Sequence, residues 1–151
     1  MGAESVTVCF TGNPNCGKTT LFNAYTGAGK KTANWPGVTV ALSEGSLMHR
    51  GRLVHLVDTP GIYSLDPYTM EETVTRQCIR DQKADVIIHV ADALLLERSL
   101  FLTMQLLAEG RPMVLALNMM DLVRERGMDI DTEGLSRLLG GIPVIPVSAR
   151  R

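Results

Sequence analysis

Three cysteines, three histidines and one tryptophan among 151 residues leave this chain poor in the side chains that build disulfide frameworks and metal centres. Cys9, Cys16 and Cys78 are odd in number, widely spaced and contain no C-x-x-C pair. That pattern excludes a disulfide scaffold and a thiolate metal site, and it reads as reduced thiols in the cytosol. His49, His55 and His89 show no ligand spacing, so they are expected to be satisfied in the core or to sit on the surface. The longest apolar-rich segment, Ala93 to Ala108, is interrupted by Glu97, Arg98 and Gln105, too short and too polar for a bilayer span. The N-terminus lacks a basic stretch followed by an apolar segment, so no signal peptide is evident. Charge is balanced, with 15 Lys and Arg against 16 Asp and Glu. The basic residues fall in pairs such as Lys30-Lys31 and Arg150-Arg151, which gives no electrostatic reason to expect a nucleic-acid partner. Repeats, linkers and low-complexity tracts are absent, so residues 1–151 are read as one soluble domain.

What the chain does contain is a complete phosphate-binding loop. Residues Gly12, Asn13, Pro14, Asn15, Cys16, Gly17, Lys18 and Thr19 spell G-x-x-x-x-G-K-[ST]. An apolar run from Val6 to Phe10 precedes it and a helical run from Thr19 towards Tyr25 follows. Glycines let successive N–H groups turn inward on phosphate oxygens, and the next helix adds its positive N-terminal end. Lys18 can reach the outer phosphates, and the Thr19 hydroxyl can ligate Mg²⁺.

Short β-branched runs alternate with helical patterns, as in an α/β domain with a mostly parallel sheet. Strands are expected at 5–11, 38–48, 52–58, 85–91, 113–118 and 144–147, giving a six-stranded mixed sheet. The tetrad His49-Arg50-Gly51-Arg52 reads as a hairpin turn, which makes one strand antiparallel. Helices are expected at 18–25, 71–81, 94–109 and 132–139. Thr69 and Glu72 fit a capping box. Leu96, Leu100, Met104 and Leu107 recur at helical spacing and are expected to face the sheet.

Three further motifs follow in order. Asp58-Thr59-Pro60-Gly61 closes an apolar strand, where a carboxylate can hold Mg²⁺ through its water shell and Gly61 lets an N–H approach a γ-phosphate. Asn118 and Asp121 are three residues apart at a strand end, and a carboxylate there can accept from the ring N–H and amine of guanine. The competing reading is an Asn–Asp turn that caps a helix. Met119 stands where this pattern usually has lysine. Ser148 and Ala149 follow the last strand, where a backbone N–H could meet the guanine carbonyl oxygen. Together the four motifs imply a GTP-binding domain with a preference for GTP over ATP.

Position 62, after Gly61, is isoleucine, whereas many Ras-like GTPases carry a water-orienting glutamine there. Hydrolysis is therefore expected to be slow, or to use another device. Asn15 offers a carbonyl oxygen that could help to bind a monovalent cation near the phosphates. Loop stabilisation by the same side chain is an equal alternative. The segment Lys31 to Val40 should sense the γ-phosphate, with Thr39 reaching Mg²⁺. Trp35 lies in an Asn-Trp-Pro-Gly setting that suggests an exposed loop over a core position.

The stretches GNPNCGKTTLFN (12–23), NWPGVTV (34–40), DTPGIYSL (58–65) and NMMD (118–121) resemble, in order, the N-terminal G domain of the ferrous iron transport protein B (FeoB) family. The resemblance implies a Ras-like P-loop GTPase fold and Mg²⁺-dependent GTP hydrolysis on the cytoplasmic face of a bacterial inner membrane. It implies a parent protein with helical regulatory and membrane permease domains, of which this chain would be a fragment stopping after Ser148-Ala149. Catalysis would involve Asn15, Lys18, Thr39 and Gly61. The nucleotide would contact residues Gly12 to Thr20, together with Asn118, Met119, Asp121, Ser148 and Ala149. Mg²⁺ would be held by Thr19, Thr39 and Asp58, and K⁺ by Asn15 with the backbone around Asn34 and Trp35. Ile62 also matches the family. The resemblance would have Glu71 and Glu72 tune switch stability; the residues themselves read as solvated helix-start carboxylates. The rival functions are a GTP/GDP switch with negligible turnover and an RNA- or ribosome-associated GTPase; oligomerisation stays open.

Overall fold

The computed structural model describes residues 5–27, 30–81 and 84–148. β1 (Ser5–Gly12) is an apolar run, because a strand at the centre of a parallel sheet is covered on both faces. Its alternation sends Val8 and Phe10 to one face, with Leu21 and Phe22 of α1 (Lys18–Thr26), and Cys9 to the other, with Val74 and Cys78 of α2 (Met70–Asp81). Phe10 and Phe22 meet edge to face at 5.6 Å between ring centroids.

The remaining elements are β2 (Lys31–Asn34), β3 (Ala41–His49), β4 (Arg52–Asp58), β5 (Val86–Asp92), α3 (Leu96–Leu107), β6 (Met113–Asn118), α4 (Met120–Glu125), α5 (Thr132–Leu138) and β7 (Val144–Pro146). The strands form one sheet in the order β2-β3-β4-β1-β5-β6-β7. β3 pairs antiparallel with both neighbours and the other pairs are parallel, so one strand runs against the rest. In-register pairing places Phe10 beside Asp58, Gly12 beside Val90 and Asp92 beside Asn118. The carboxyl ends of β1, β4, β5 and β6 therefore converge on one rim, where open α/β sheets bind ligands.

The sheet has seven strands rather than six. The added one, β2, is Lys-Thr-Ala-Asn at the edge, exposed along its whole length, so it carries no apolar alternation to betray it. The strand expected from Val38 begins at Ala41, because the chain first closes a turn in which Trp35 N–H donates to Val40 O (2.8 Å) and Val38 N–H to Trp35 O (3.1 Å). The hairpin forms as expected, with Arg50 and Gly51 both left-handed (φ 51° and 79°). The short helix α4 was not expected. Helix α3 meets the expectation in part: Leu96 and Leu107 pack on the core, but Ser99, Leu102, Thr103 and Leu106 are its buried residues and Met104 is 56% exposed. Ser99 and Thr103 can be buried because each hydroxyl donates to the carbonyl one turn back, Leu95 O and Ser99 O. The capping box is present: Thr69 Oγ1 accepts from Glu72 N–H (3.2 Å), and Glu72 Oε1 accepts from Thr69 N–H (3.0 Å).

His89 is fully buried between β1 and α3. Thr103 gives its hydroxyl proton to Ser99 O, so His89 Nε2–H donates to Thr103 Oγ1 (2.8 Å) and Nδ1 accepts from Thr11 Oγ1 (3.2 Å). Burial disfavours the imidazolium and pushes the pKa from 6.5 down to about 4. The unfolded chain thus binds a proton that the folded chain refuses. Stability from this source is complete above pH 6.5 and is lost as pH falls to 4, by about 3 kcal/mol. Urea unfolding at pH 7 and pH 4 should record the loss. The His89 Cε1–H resonance should stay in its neutral position down to pH 5, and titration of that resonance near pH 6.5 would overturn the assignment.

Candidate functional site

β1 ends at Gly12, and the chain turns through Asn15 (φ 66°) and Gly17 (φ 88°) before α1 begins. Gly17 admits no side chain: a Cβ there would lie 2.1 Å from Asn118 Nδ2 in a left-handed residue. The loop lines a cavity of about 330 Å³ with Asn13, Pro14, Asn15, Gly17, Lys18, Thr19, Thr20 and Gly61. Cys16 faces away, 2% exposed in the core beside Phe10 and Phe22, which makes its thiol a packing group.

Lys18 opens α1 and Asp58 closes β4. Their side chains form a buried ion pair, at 6% and 7% exposure, between Nζ and Oδ1. Thr19 Oγ1 donates to the other carboxylate oxygen at 3.0 Å. One carboxylate thus holds an ammonium and a hydroxyl beside the cavity, and the oxygens of Asp58 and Thr19 are of the kind that a small hard cation takes. Beyond Asp58, Thr59 fastens the turn by donating from N–H (3.2 Å) and Oγ1 (2.6 Å) to Phe10 O. Gly61 is forced by close approach, since a Cβ would sit 2.9 Å from Pro14 Cα. Ile62 donates its N–H to Gly12 O (3.0 Å), and its side chain is buried with Leu65 and Ile79. It has no access to the cavity.

Asn118 is buried and braces the rim. Its Nδ2 donates to Cys16 O (2.9 Å), and its Oδ1 accepts from Met119 N–H (2.9 Å). Met119 adopts a left-handed conformation (φ 67°) as the residue that starts α4. Asp121, in the first turn of α4, accepts from Ser148 Oγ at 3.1 Å. The pair flanks the start of α4 without a side-chain cap on it, Asn118 holding the phosphate loop and Asp121 the loop after β7. Ala149 lies outside the described residues.

The segment expected to sense the γ-phosphate stands apart from the cavity in this structure. Thr39 and Asn34 are exposed, and neither lines it. Trp35 is half-buried rather than loose: it packs with Val38 on the Val40–Leu42–Val74–Cys78 cluster, and its Nε1 donates to Gln77 Oε1 (3.1 Å). Glu72 is buried too, against the expectation of a solvated carboxylate. Burial raises its pKa, but hydrogen bonds from Ser64 and Thr69 outweigh that and hold it below the ordinary carboxylate range.

Gln77, Arg76 and Gln105 were not anticipated from sequence. Arg76 donates to Leu65 O, and Gln105 Oε1 accepts from Leu65 N–H (2.7 Å), so the 62–68 segment is held between α2 and α3. Nothing local marks these residues, because each contact joins positions far apart in the chain.

A family model described as Ferrous iron transport protein B matches residues 6–151. The chain belongs to this family. It is 49% identical over 144 residues to the Fe(2+) transporter FeoB of Legionella pneumophila (strain Lens), covering 93% of this chain and 19% of that protein. The chain thus spans about a fifth of the length of that curated relative. The cytosolic domain of the T. maritima FeoB iron transporter in a GDP form aligns with a TM-score of 0.93 at 40% identity, over 97% of this chain and 57% of that one. The FeoB G-domain from Methanococcus jannaschii aligns with a TM-score of 0.84 at 39% identity, over 97% of this chain and 88% of that one. The Ras-like α/β architecture expected from the motifs is the FeoB G-domain fold.

In this FeoB family member, Lys18→Ala should leave Asp58 buried without its counter-charge. The expected loss is about 3 kcal/mol in urea unfolding without added nucleotide. Asn118→Ala removes both ties of the brace and should cost about 2 kcal/mol in the same assay. An unchanged midpoint in either variant would show that the contact does not hold the rim.

Proposed function

We propose that the chain is the GTP-binding and slowly GTP-hydrolysing domain of a membrane transporter for ferrous iron. The observation that carries this reading is the convergence of Lys18 and Thr19 on Asp58 beside a cavity lined by the phosphate loop and Gly61. Loop N–H groups would bind the β- and γ-phosphates, with Lys18 neutralising their charge. Gly61 N–H would meet the γ-phosphate. Asp121 would select guanine, and the Ser148 hydroxyl would orient its carboxylate. Thr19 and Asp58 fit Mg²⁺ by chemistry and proximity, and Thr39 would join them once segment 34–39 folds over the cavity. Mg²⁺ supplies charge stabilisation on the phosphates.

Asn15, exposed at the mouth of the cavity, would offer its carbonyl oxygen to K⁺. The backbone of Asn34 and Trp35 would complete that site in the same movement, which requires release of the Trp35–Gln77 contact. Such a cation would act where an arginine finger does in other GTPases. Nucleotide state would then be reported through 34–39 and 58–68 to the helical and permease parts of the parent, at the cytoplasmic face of the inner membrane. Among the described residues, no helix is long and apolar enough to cross a membrane.

A second reading, a GTP/GDP switch with negligible turnover, is favoured by the burial of Ile62 in the apolar cluster. GTP turnover in K⁺ against Na⁺, with Asn15→Ala alongside, separates the two. K⁺ stimulation of about tenfold or more, lost in the variant, is the expected result. Equal and very slow turnover in every arm would favour the switch. Asp121→Ala should weaken GTP about 100-fold while leaving ATP binding unchanged; equal loss of both nucleotides would sink the guanine assignment.

A further inference from the structure

Two thiols from distant parts of the chain meet in the core. Cys9 of β1 and Cys78 of α2 place their sulfurs 3.6 Å apart, and both residues are fully buried. They belong to the α2 face of the sheet, whereas Cys16 belongs to the α1 face. The pair is therefore isolated from the third thiol. A disulfide needs sulfurs about 2.0 Å apart, so closing it takes side-chain rotation and an approach of α2 to β1.

The position of the pair gives that bond a consequence. Cys9 lies three residues before Gly12, at the root of the phosphate loop. Cys78 follows Arg76, which holds Leu65 O, and Gln77, which holds the Trp35 indole. Helix α2 is thus the element to which both nucleotide-sensing segments are attached, and Cys78 is where it touches the central strand.

We propose that Cys9 and Cys78 are a peroxide-responsive thiol pair whose reversible disulfide locks α2 to β1 and slows the nucleotide cycle. Hydrogen peroxide oxidises one thiol to a sulfenic acid, releasing one water. The second thiol's sulfur attacks that sulfenic sulfur, the S–O bond breaks, and a second water leaves. Two thiols are oxidised and one peroxide is reduced to two waters.

The contact with Cys78, together with burial, raises the Cys9 thiol far above its ordinary range, so the resting pair is neutral and slow to react. Oxidation must wait for α2 to lift, which ties its rate to the movement of the switch helix. The biological logic rests on the iron reading above: ferrous iron reduces peroxide to hydroxyl radical, so an iron-uptake domain gains by slowing when peroxide rises.

The test treats the 151-residue chain with hydrogen peroxide, alkylates it, and digests it without reduction for mass spectrometry. Fluorescent GDP release is followed in parallel. The expected result is a Cys9–Cys78 cross-linked peptide two hydrogens lighter than the separate thiols. Cys16 should remain alkylatable after unfolding. GDP release should slow about tenfold and recover with dithiothreitol. Cys78→Val should abolish the response while leaving untreated release unchanged, and Cys9→Val serves the same purpose if the first variant does not fold.

Three alkylatable thiols after peroxide, a bridge to Cys16, or a cross-link without effect on release would each overturn the proposal. If the untreated chain fails to bind GDP, the functional reading falls by itself. The thiol pair is then judged from the peptide mass and from a dithiothreitol-reversible rise in Tm, and an unchanged Tm counts against the lock.

Discussion

The contact between Lys18 and Asp58 organises this domain. A buried ammonium and a buried carboxylate are each costly alone, so each fixes the place of the other. Through them the first turn of α1 is pinned to the end of β4, two elements separated by forty residues. The carboxylate's second oxygen takes the Thr19 hydroxyl, which leaves the loop backbone lining the cavity beside it. The surrounding glycines follow from crowding. Gly61 must pass against Pro14 where the Asp58 turn meets the phosphate loop, and Gly17 against Asn118, whose amide is held on Cys16 O.

A second layer of organisation runs through α2. It is capped by Thr69 and Glu72, and Glu72 also holds Ser64. Farther along, Arg76 and Gln77 reach back to Leu65 and Trp35. The helix therefore joins the 62–68 segment to the turn at Trp35, while its inner face packs Val74 and Cys78 against β1. Movement of either segment is felt at the same helix.

The phosphate loop, the Asp58 turn and the Asn118–Asp121 pair were legible because each couples fixed local spacing to a strand that ends at the same rim. The central strands were legible for the same reason: burial on both faces demands apolar runs. Edge strand β2 was not, since exposure on both faces leaves Lys31 to Asn34 without a pattern. The face of α3 was partly misread because Ser99 and Thr103 satisfy their hydroxyls within the helix and so behave as core residues. Glu72 looked like a surface carboxylate until Ser64 was seen to lie against it.

The sequence by itself determined that this is an α/β phosphate-loop domain and in what order its motifs come. Local backbone preferences and short motifs suffice for that, because a turn or a strand end is specified by a few consecutive side chains. Tertiary structure alone decided that Asn118 braces Cys16, that Trp35 is tied to Gln77, and that Cys9 touches Cys78. These partners are separated by 102, 42 and 69 positions, and their meeting depends on strand register and helix placement rather than on any neighbouring residue.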